Sequence, residues 1–311
     1  IIYTSGTTGE PKGVMLTHKN IVSNTMSAHQ VFDLSDKDTF LSFLPLCHIF
    51  ERTAGYYVAL SGGCTIAYAE SIEKVASNME EIKPTVMTAV PRLFERMYSK
   101  IKRNIESQSV NKQKVFSWAV EVGKEYCIQK KSPTGVSLTN SVKHSLANKL
   151  VFNKLKEKTG GNLRFFISGG APLSRDLGLF FEAVGMLIVE GYGLTESSPV
   201  LAVNKPNNYK FGTVGKPFPG VELKIAQDGE ILAYGPSIMK GYFNNKKETD
   251  AVLKDGWLHT GDIGVFDAEG FLIITDRKKH LFKTSQGKYI APSPIENMFL
   301  ASKYIDQFIL I

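Results

Sequence analysis

Cysteine is scarce in this sequence, and long apolar runs are missing from it. The three cysteines, Cys47, Cys64 and Cys127, have neither C-x-x-C nor zinc-ligand spacing, which argues against a disulfide framework and favours a reducing compartment. No apolar run approaches the ~20 residues that a membrane-spanning helix needs. Neither the Walker A pattern nor a G-x-S-x-G nucleophile elbow occurs, so the P-loop and α/β-hydrolase signatures are absent.

The bulk composition is that of a globular protein. Hydrophobic residues make up 43% and charged residues 22% of the 311 positions, which suits one large or two ordinary domains. The chain lacks an initiator Met and begins inside an expected strand. We therefore expect residues ahead of Ile1, and the lack of a targeting segment says little. A cytoplasmic location is expected, with peripheral membrane contact as an open alternative.

The positive charge is concentrated in one segment. The net charge is +7, and residues 97–160 hold 13 Lys and Arg against 4 Asp and Glu. This segment could meet anionic lipid, or it could be a solvated cover on the main domain, and both interpretations stay open. It contains no recognisable nucleic-acid-binding module, so no nucleic-acid partner is expected.

Apolar runs alternate with helical patterns over the first two thirds of the chain. The expected strands cover 40–50 (with a turn at Pro45), 62–68, 85–90, 163–168 and 186–189, and the expected helices cover 14–31, a segment ending near Glu81, a segment opening at Pro91, and most of 97–160. Strands alternating with helices predict an α/β fold with a doubly wound, parallel sheet.

The later part of the chain has a different texture. Short β runs interrupted by Pro and Gly predict a small β-rich, barrel-like subdomain over 213–276, which would complete a large domain of residues 1–276 with the α/β region 1–212. A charged hinge and the start of a small α+β C-terminal domain are expected over 277–311. Within it we expect a hairpin over 280–290, a helix from Pro294 and a strand over 307–311.

The first thirteen residues combine a strand end with a polar loop. The loop holds three glycines, four hydroxyl residues and Lys12, which can direct several N–H and hydroxyl groups at one anion. The helix expected over 14–31 would add its dipole to that site. A polar surface turn is the alternative interpretation.

Two further motifs carry groups suited to a nucleotide. GYGLTE at 191–196 offers an aromatic face, a hydroxyl and a carboxylate that could bind Mg²⁺. GWLHTGD at 256–262 places a carboxylate on an expected tight turn, where it could accept from two ribose hydroxyls. Each motif could equally be an ordinary turn with a capping side chain.

Taken together and in this order, the motifs resemble the adenylate-forming superfamily of acyl-CoA synthetases, peptide-synthetase adenylation domains and luciferases. The matching stretches are YTSGTTGEPKG at 3–13, GYGLTE at 191–196, TGD at 260–262 and DR at 276–277. Within the superfamily, the chain most resembles a long-chain fatty acid–CoA ligase, through LPLCHIFER at 44–52, the basic helical insert at 97–160 and IAPSPIE at 290–296.

The resemblance implies two half-reactions that use ATP, Mg²⁺ and coenzyme A. A fatty carboxylate attacks the α-phosphorus of ATP to form an acyl-adenylate and pyrophosphate. The C-terminal domain then rotates about a hinge, expected at Lys279, and the thiol of coenzyme A displaces AMP.

The resemblance also assigns roles to individual residues. The residues expected to bind the nucleotide are Thr4, Ser5, Gly6, Thr7, Thr8, Gly9, Lys12, Gly170, Ala171, Tyr192, Gly193, Thr195, Asp262 and Arg277. The residues expected to act in catalysis are Lys12, His48, Thr195 and Glu196. The first loop and Lys12 would hold the β- and γ-phosphates, Thr195 the α-phosphate and Glu196 the Mg²⁺. Tyr192 would stack on adenine beside Gly170 and Ala171. Asp262 and Arg277 would bind the ribose, and His48 would lie near the acyl carboxylate.

Departures from the family pattern keep rival functions open. His280 stands where an acidic residue is common, and Gln286 stands where glycine is frequent beside the thiol channel. The family's N-terminal sheet region and most of its C-terminal domain are not in the sequence, so an inactive fragment is expected. The rivals are a ligase that loads a carrier protein and a non-catalytic nucleotide-binding relative.

Overall fold

The computed structural model describes residues 1–4 and 10–279, together with scattered positions between 282 and 310. Its strands are β1 (Ile2–Thr4), β2 (Lys12–Met15), β3 (Thr39–Ser42), β4 (Thr65–Tyr68), β5 (Val86–Ala89), β6 (Phe165–Ser168), β7 (Ile188–Gly193), β8 (Val200–Val203), β9 (Lys216–Pro217), β10 (Glu222–Ile225), β11 (Glu230–Tyr234), β12 (Gly241–Tyr242), β13 (Leu253–Lys254), β14 (Trp257–Phe266), β15 (Leu272–Arg277), β16 (Phe282–Lys283) and β17 (Tyr289–Ile290). Its helices are α1 (His18–His29), α2 (Val58–Ser61), α3 (Val75–Ile82), α4 (Pro91–Glu106), α5 (Val110–Lys130), α6 (Leu138–Ala147), α7 (Asn153–Glu157), α8 (Arg175–Ala183) and α9 (Lys246–Val252). Two π-helical segments cover Glu51–Tyr57 and Asn148–Phe152, and a 3₁₀ turn covers Thr195–Ser197.

A seven-stranded sheet forms the centre of the α/β region, in the order β4–β3–β5–β6–β7–β8–β9. The first five strands are parallel to one another, β8 is antiparallel to β7, and β9 is antiparallel to β8. Successive side chains of β6 point to opposite faces of the sheet. Phe165 and Ile167 belong to an apolar cluster on one face, and Phe166 belongs to a second cluster on the other face. Helices α1 and α2 pack in the first cluster, and α3, α4, α5 and α8 pack in the second. The predicted doubly wound sheet is therefore confirmed.

The β-rich region is confirmed as well. An antiparallel sheet has the order β10–β11–β14–β13, and β15 pairs with β14. The TGD motif lies inside the ten-residue strand β14, so the tight turn expected there was wrong. Gly261 has a φ of 72°, and the register shifts between Ile263 and Gly264. This irregularity bends the strand at the motif without ending it.

A third sheet joins the start of the chain to the β-rich region. It has the order β1–β2–β12, with Tyr242 opposite Val14. The helix expected from Val14 therefore begins later, at His18, where the Thr17 hydroxyl caps it by accepting the Asn20 N–H at 3.2 Å. Because β2 separates the polar loop from α1, the helix N-terminus does not follow the loop directly.

Helix α1 is fixed by polar side chains that bind distant parts of the chain. Asn20 Nδ2 donates to the carbonyls of Pro236 and Ile238, each at 2.8 Å. Asn24 Nδ2 donates to the Val200 carbonyl at 2.9 Å, and Ser27 donates to the Pro219 carbonyl at 2.7 Å. These bonds give hydrogen-bond partners to buried side chains of α1, which would otherwise destabilise the packing of this helix against the rest of the protein.

Other boundaries also differ from the predicted ones. Strand β3 ends at Ser42, and the His48 N–H donates to the Pro45 carbonyl at 3.0 Å, so 45–48 is a turn and the strand expected over 40–50 was too long. The helical insert is confirmed as α4 to α7, broken after α5. The paired strands β16 and β17 agree with the expected hairpin. The residues around its turn and Pro294 lie outside the described set, and described residues 308–310 are not in the expected strand.

Candidate functional site

A large cavity lies between the carboxyl end of the central sheet and the β-rich sheet. Its volume is about 1200 Å³. Several predicted site residues line it, namely Thr4, Lys12, Gly193, Thr195, Glu196 and Arg277, together with the expected hinge residue Lys279. The predicted loop residues Ser5, Gly6, Thr7, Thr8 and Gly9 lie outside the described residues. Residues far apart in sequence thus share one wall.

A buried carboxylate lies beneath this wall. Asp262 is only 4% exposed, accepts a hydrogen bond from the Tyr192 hydroxyl at 2.7 Å, and lies 3.2 Å from Arg277 Nε. Burial raises the pKa of Asp262, although Tyr192 and Arg277 oppose that shift. Asp262 and Arg277 are opposite each other in the β14–β15 pair. The strand register therefore places Asp262 and Arg277, the two side chains predicted to bind ribose, next to each other.

Glu196 and Lys12 are linked through residues that the sequence did not single out. Tyr242 donates its hydroxyl hydrogen to Glu196 Oε1 at 2.7 Å, and Lys12 Nζ lies 5.2 Å from the centre of the Tyr242 ring. Lys12 also pairs with Glu248. The hydrogen bond from Lys12 lowers the pKa of Glu248. Strand β12 positions Tyr242, because its pairing with β2 brings Tyr242 beside Lys12.

A second buried carboxylate, Glu230, connects β14, the strand that contains the TGD motif, to the expected hinge. Glu230 Oε1 accepts the Gly261 N–H at 2.9 Å, and its Oε2 lies 3.1 Å from His259 Nδ1 and 2.9 Å from Lys278 Nζ. Burial raises the pKa of Glu230, but the hydrogen bonds from Lys278, His259 and Gly261 hold it below its usual value. Glu230 thereby fixes the residue before Asp262 and the residue after Arg277.

Tyr242, Glu248 and Glu230 are site residues that sequence reasoning missed. Tyr242 reaches Lys12 through the pairing of β12 with β2, and Glu248 reaches it from α9, 236 positions later in the sequence. Neither contact is visible in a local stretch of sequence. For Glu230 the available signal was its position directly after the turn-forming pair Asp228-Gly229.

A smaller apolar cavity adjoins the first. Its volume is about 190 Å³, and it shares Gly193, Leu194 and Thr195 with the larger cavity. Aromatic and aliphatic side chains dominate its wall, together with the predicted residues His48, Gly170 and Tyr192. Tyr192 is 8% exposed and packs in the apolar core. Ala171, which was predicted to lie beside adenine, lines neither of these two cavities.

Glu190 is a buried carboxyl against the loop that contains Gly170. It is 6% exposed, and its Oε1 accepts the Leu173 N–H at 3.2 Å. Burial raises the pKa of Glu190 to about 7, and the single N–H bond offsets only part of that shift. Folding is therefore favoured while this group stays protonated.

Glu190→Gln is expected to make the protein more stable at pH 8 than the wild type. The stability that the protonated group contributes is fully present below pH 4.5 and is lost as the pH rises through about 7. The loss is on the order of 3 kcal/mol. Urea unfolding at pH 5 and pH 8 measures the free energy of unfolding, with Glu222→Gln as an exposed control. A difference between Glu190→Gln and wild type that is the same at both pH values contradicts the assignment.

Comparison with known proteins agrees with the cavity and its motifs. Residues 1–243 match the family model described as AMP-binding enzyme. The chain is 38% identical over 313 residues to a long-chain-fatty-acid–CoA ligase, FadD15, of Mycobacterium bovis, covering 100% of this chain and 52% of the relative. It is 38% identical to the peroxisomal long chain acyl-CoA synthetase 7 of Arabidopsis thaliana, over 99% of this chain and 45% of that one.

A solved structure shares the fold. The o-succinylbenzoate coenzyme A synthetase of Bacillus subtilis, in complex with ATP and magnesium ion, superposes with a TM-score of 0.72 at 25% identity, over 98% of this chain and 55% of that chain. The chain spans about half the length of the curated relatives it matches. In the part of the chain that the structure describes, no helix is both long and apolar enough to cross a bilayer. The chain belongs to the AMP-binding enzyme family.

Proposed function

We propose that this chain binds ATP and the acyl substrate in an AMP-forming long-chain fatty acid–CoA ligase. The observation that carries this proposal is the meeting of two cavities at Gly193, Leu194 and Thr195. One cavity is large enough for a nucleotide and is lined by charged and hydroxyl side chains such as Lys12, Thr195 and Arg277. The other is lined mainly by apolar side chains. A fatty carboxylate at their junction would face the α-phosphate of ATP.

The main task of the large cavity would be to neutralise the negative charge of its two substrates. A carboxylate and a triphosphate repel each other, so the wall has to supply positive charge and hold an in-line geometry. Lys12 would hold the terminal phosphates after exchanging its partner Glu248 for phosphate oxygens. Thr195 would hydrogen-bond the α-phosphate, and Thr4 lies in the same wall.

Mg²⁺ would be held by Glu196 and by the nucleotide. Among the described residues, no group of three or more His, Cys, Asp or Glu side chains could hold a metal ion by itself. Phosphate oxygens and water would supply the remaining ligands, which is the usual arrangement for Mg²⁺ with nucleotides. Mg²⁺ would neutralise charge on the leaving pyrophosphate.

The apolar cavity would receive the start of the acyl chain. Phe32, Phe50 and Val58 give it a wall that suits hydrocarbon, and His48 lies in the same wall. We assign His48 to the neighbourhood of the acyl carboxylate. Coenzyme A is the proposed acceptor, because both relatives named above are CoA ligases or synthetases.

The hinge is proposed at Lys279. The two residues before it are anchored, since Arg277 lies against Asp262 and Lys278 pairs with Glu230 and Asp228. Rotation of a C-terminal domain would then begin directly beyond these anchors. Because Glu230 also holds Gly261, the ribose site and the pivot share one support.

Asp262→Ala is expected to weaken ATP binding by roughly 10- to 100-fold, because hydrogen bonds to a charged group contribute about 1.5–3 kcal/mol. Binding of inorganic tripolyphosphate should change little, since it has no ribose. Calorimetric titration with both ligands measures this difference, and Tyr192→Phe is the control that keeps the carboxylate. Equal losses for ATP and tripolyphosphate are incompatible with a ribose-binding role.

The proposed reaction is tested by pyrophosphate release across a chain-length series of fatty acids. The assay uses the full-length protein, in which this chain is joined to an N-terminal region and a C-terminal domain. Acyl-CoA should form with coenzyme A, whereas transfer only to a holo carrier protein would favour a carrier-loading ligase. ATP binding without pyrophosphate release for any acid would favour a non-catalytic relative.

A further inference from the structure

Helix α6 and the segment after it expose an apolar stripe. Leu138 is 87% exposed, Val142 71%, Leu146 49% and Leu150 44%. Residues four apart lie on one side of a helix, so these four side chains form a continuous line, here called the α6 stripe. Large aliphatic groups in such an arrangement on a surface mark an interaction site more often than isolated ones do.

The opposite side of the same segment is already buried. Asn140, Ala147 and Phe152 are 3%, 0% and 0% exposed, and Ala147 and Phe152 belong to the second apolar cluster. The Ser137 side chain caps α6 by accepting the Asn140 N–H at 3.3 Å. The helix is thus docked and capped without the α6 stripe, and no described residue of this chain buries the stripe.

The segment that carries the stripe has charged side chains of one sign. Residues 126–156 contain six lysines and no Asp or Glu. Lys143 and Lys149 are exposed and each adjoins a stripe residue in sequence, and Lys154 is exposed one turn beyond Leu150. A helix with an apolar line and a lysine-rich border is the pattern of helices that lie in the interface of anionic membranes.

We propose that the α6 stripe docks this protein on an anionic phospholipid surface. The stripe inserts among the acyl chains, and the neighbouring lysines contact the headgroups. The small apolar cavity is lined by members of the first cluster, such as Phe32 and Val58, on the other face of the central sheet. Docking therefore leaves the cavity uncovered and keeps the protein at the surface into which an amphiphilic acid partitions. This inference goes beyond the proposed ligase activity and does not depend on it.

Vesicle co-sedimentation at low and high salt tests the proposal with the unmodified chain. We expect binding to vesicles of phosphatidylcholine with phosphatidylglycerol, weaker binding in high salt, and little binding to phosphatidylcholine alone. Lys143→Glu with Lys149→Glu should lower the partition coefficient at least about 30-fold. The matched control, Lys19→Glu with Lys37→Glu, removes two exposed lysines from other surfaces and should have a much smaller effect. Equal losses in both double variants would overturn the proposal, because only net charge would then matter.

A second measurement tests the stripe itself. Val142→Ser with Leu146→Ser should abolish binding, whereas Val22→Ser with Met26→Ser, an exposed pair at the same spacing on α1, should not. Leu138→Trp should be quenched by brominated lipid, and Val22→Trp should not. No binding at low salt, or a Trp at position 138 that stays unquenched, overturns the proposal. So does a wild-type dimer that the Val142 and Leu146 substitutions convert to monomer, since the stripe would then serve a second copy.

Discussion

Replacing Glu196 with Gln is expected to remove most of the Mg²⁺-dependent gain in ATP affinity and to lower the adenylation rate by about 10²–10³-fold. Glu196 lines the large cavity with one oxygen held by Tyr242. Glutamine keeps the size of the side chain and an oxygen for that hydrogen bond, so the fold should be unaffected. Only the negative charge that attracts Mg²⁺ is lost.

The measurement compares ATP affinity with Mg²⁺ and with a chelator, followed by ATP–pyrophosphate exchange. Tyr242→Phe is the matched control, because it keeps the Glu196 carboxylate and removes only the hydrogen bond that orients it. We expect Tyr242→Phe to retain the Mg²⁺ effect. A Glu196→Gln variant that exchanges pyrophosphate at nearly the wild-type rate would refute the metal-binding role.

Gly193→Ala is expected to destabilise the protein by more than about 4 kcal/mol, which is exceptional for one added methyl group. A Cβ at Gly193 would lie 1.8 Å from the Pro199 carbonyl oxygen. That oxygen accepts the Leu194 N–H at 3.1 Å and also the Ser197 hydroxyl. It cannot retreat without opening the turn that carries Thr195 and Glu196. Substrate binding should therefore be lost together with stability.

Gly191→Ala is the control within the same strand. Its Cβ would lie 3.4 Å from Val203 Cγ2, 3.6 Å from the Ala202 carbonyl oxygen and 3.8 Å from Val203 Cβ, all ordinary van der Waals contacts. We expect a change in the free energy of unfolding of about 1 kcal/mol or less. Thermal and urea unfolding of both variants measure the contrast. Similar losses in the two would mean that Pro199 moves aside easily and that space at Gly193 is not limiting.

Local patterns sufficed for the architecture of this protein. The alternation of apolar strands and helices predicted the central sheet, and Pro and Gly punctuation predicted the β-rich region. Pro91 correctly marked the start of α4. The errors came where tertiary pairing overrode local preference. Val14 looked helical but pairs with both β1 and β12, and a partner 228 residues later along the chain is invisible to any local window.

In the candidate site, too, local sequence patterns pointed to some residues, and tertiary contacts brought in others that the patterns could not indicate. Motif residues such as Glu196 and Asp262 stood out in the sequence because their motifs combine carboxylates with glycines, and their roles toward a ligand stay predictions. Tyr242, Glu248 and Glu230 were missed, because each acts on a motif residue through a hydrogen bond made by folding. Sequence predicts the groups that would touch a ligand better than the groups that hold them in place.

The contacts of α1 have a consequence for synthesis of the chain on the ribosome. The helix is synthesised well before its partners, because Asn20 binds the carbonyls of Pro236 and Ile238, 216 and 218 residues later. At ~5–20 residues per second, those partners follow on the order of 10–40 s later. During that interval Asn20, Asn24 and Ser27 are solvated and β2 lacks the partner strand β12. The nascent chain therefore carries an exposed strand edge at β2 until β12 is synthesised, and we expect chaperones to bind there.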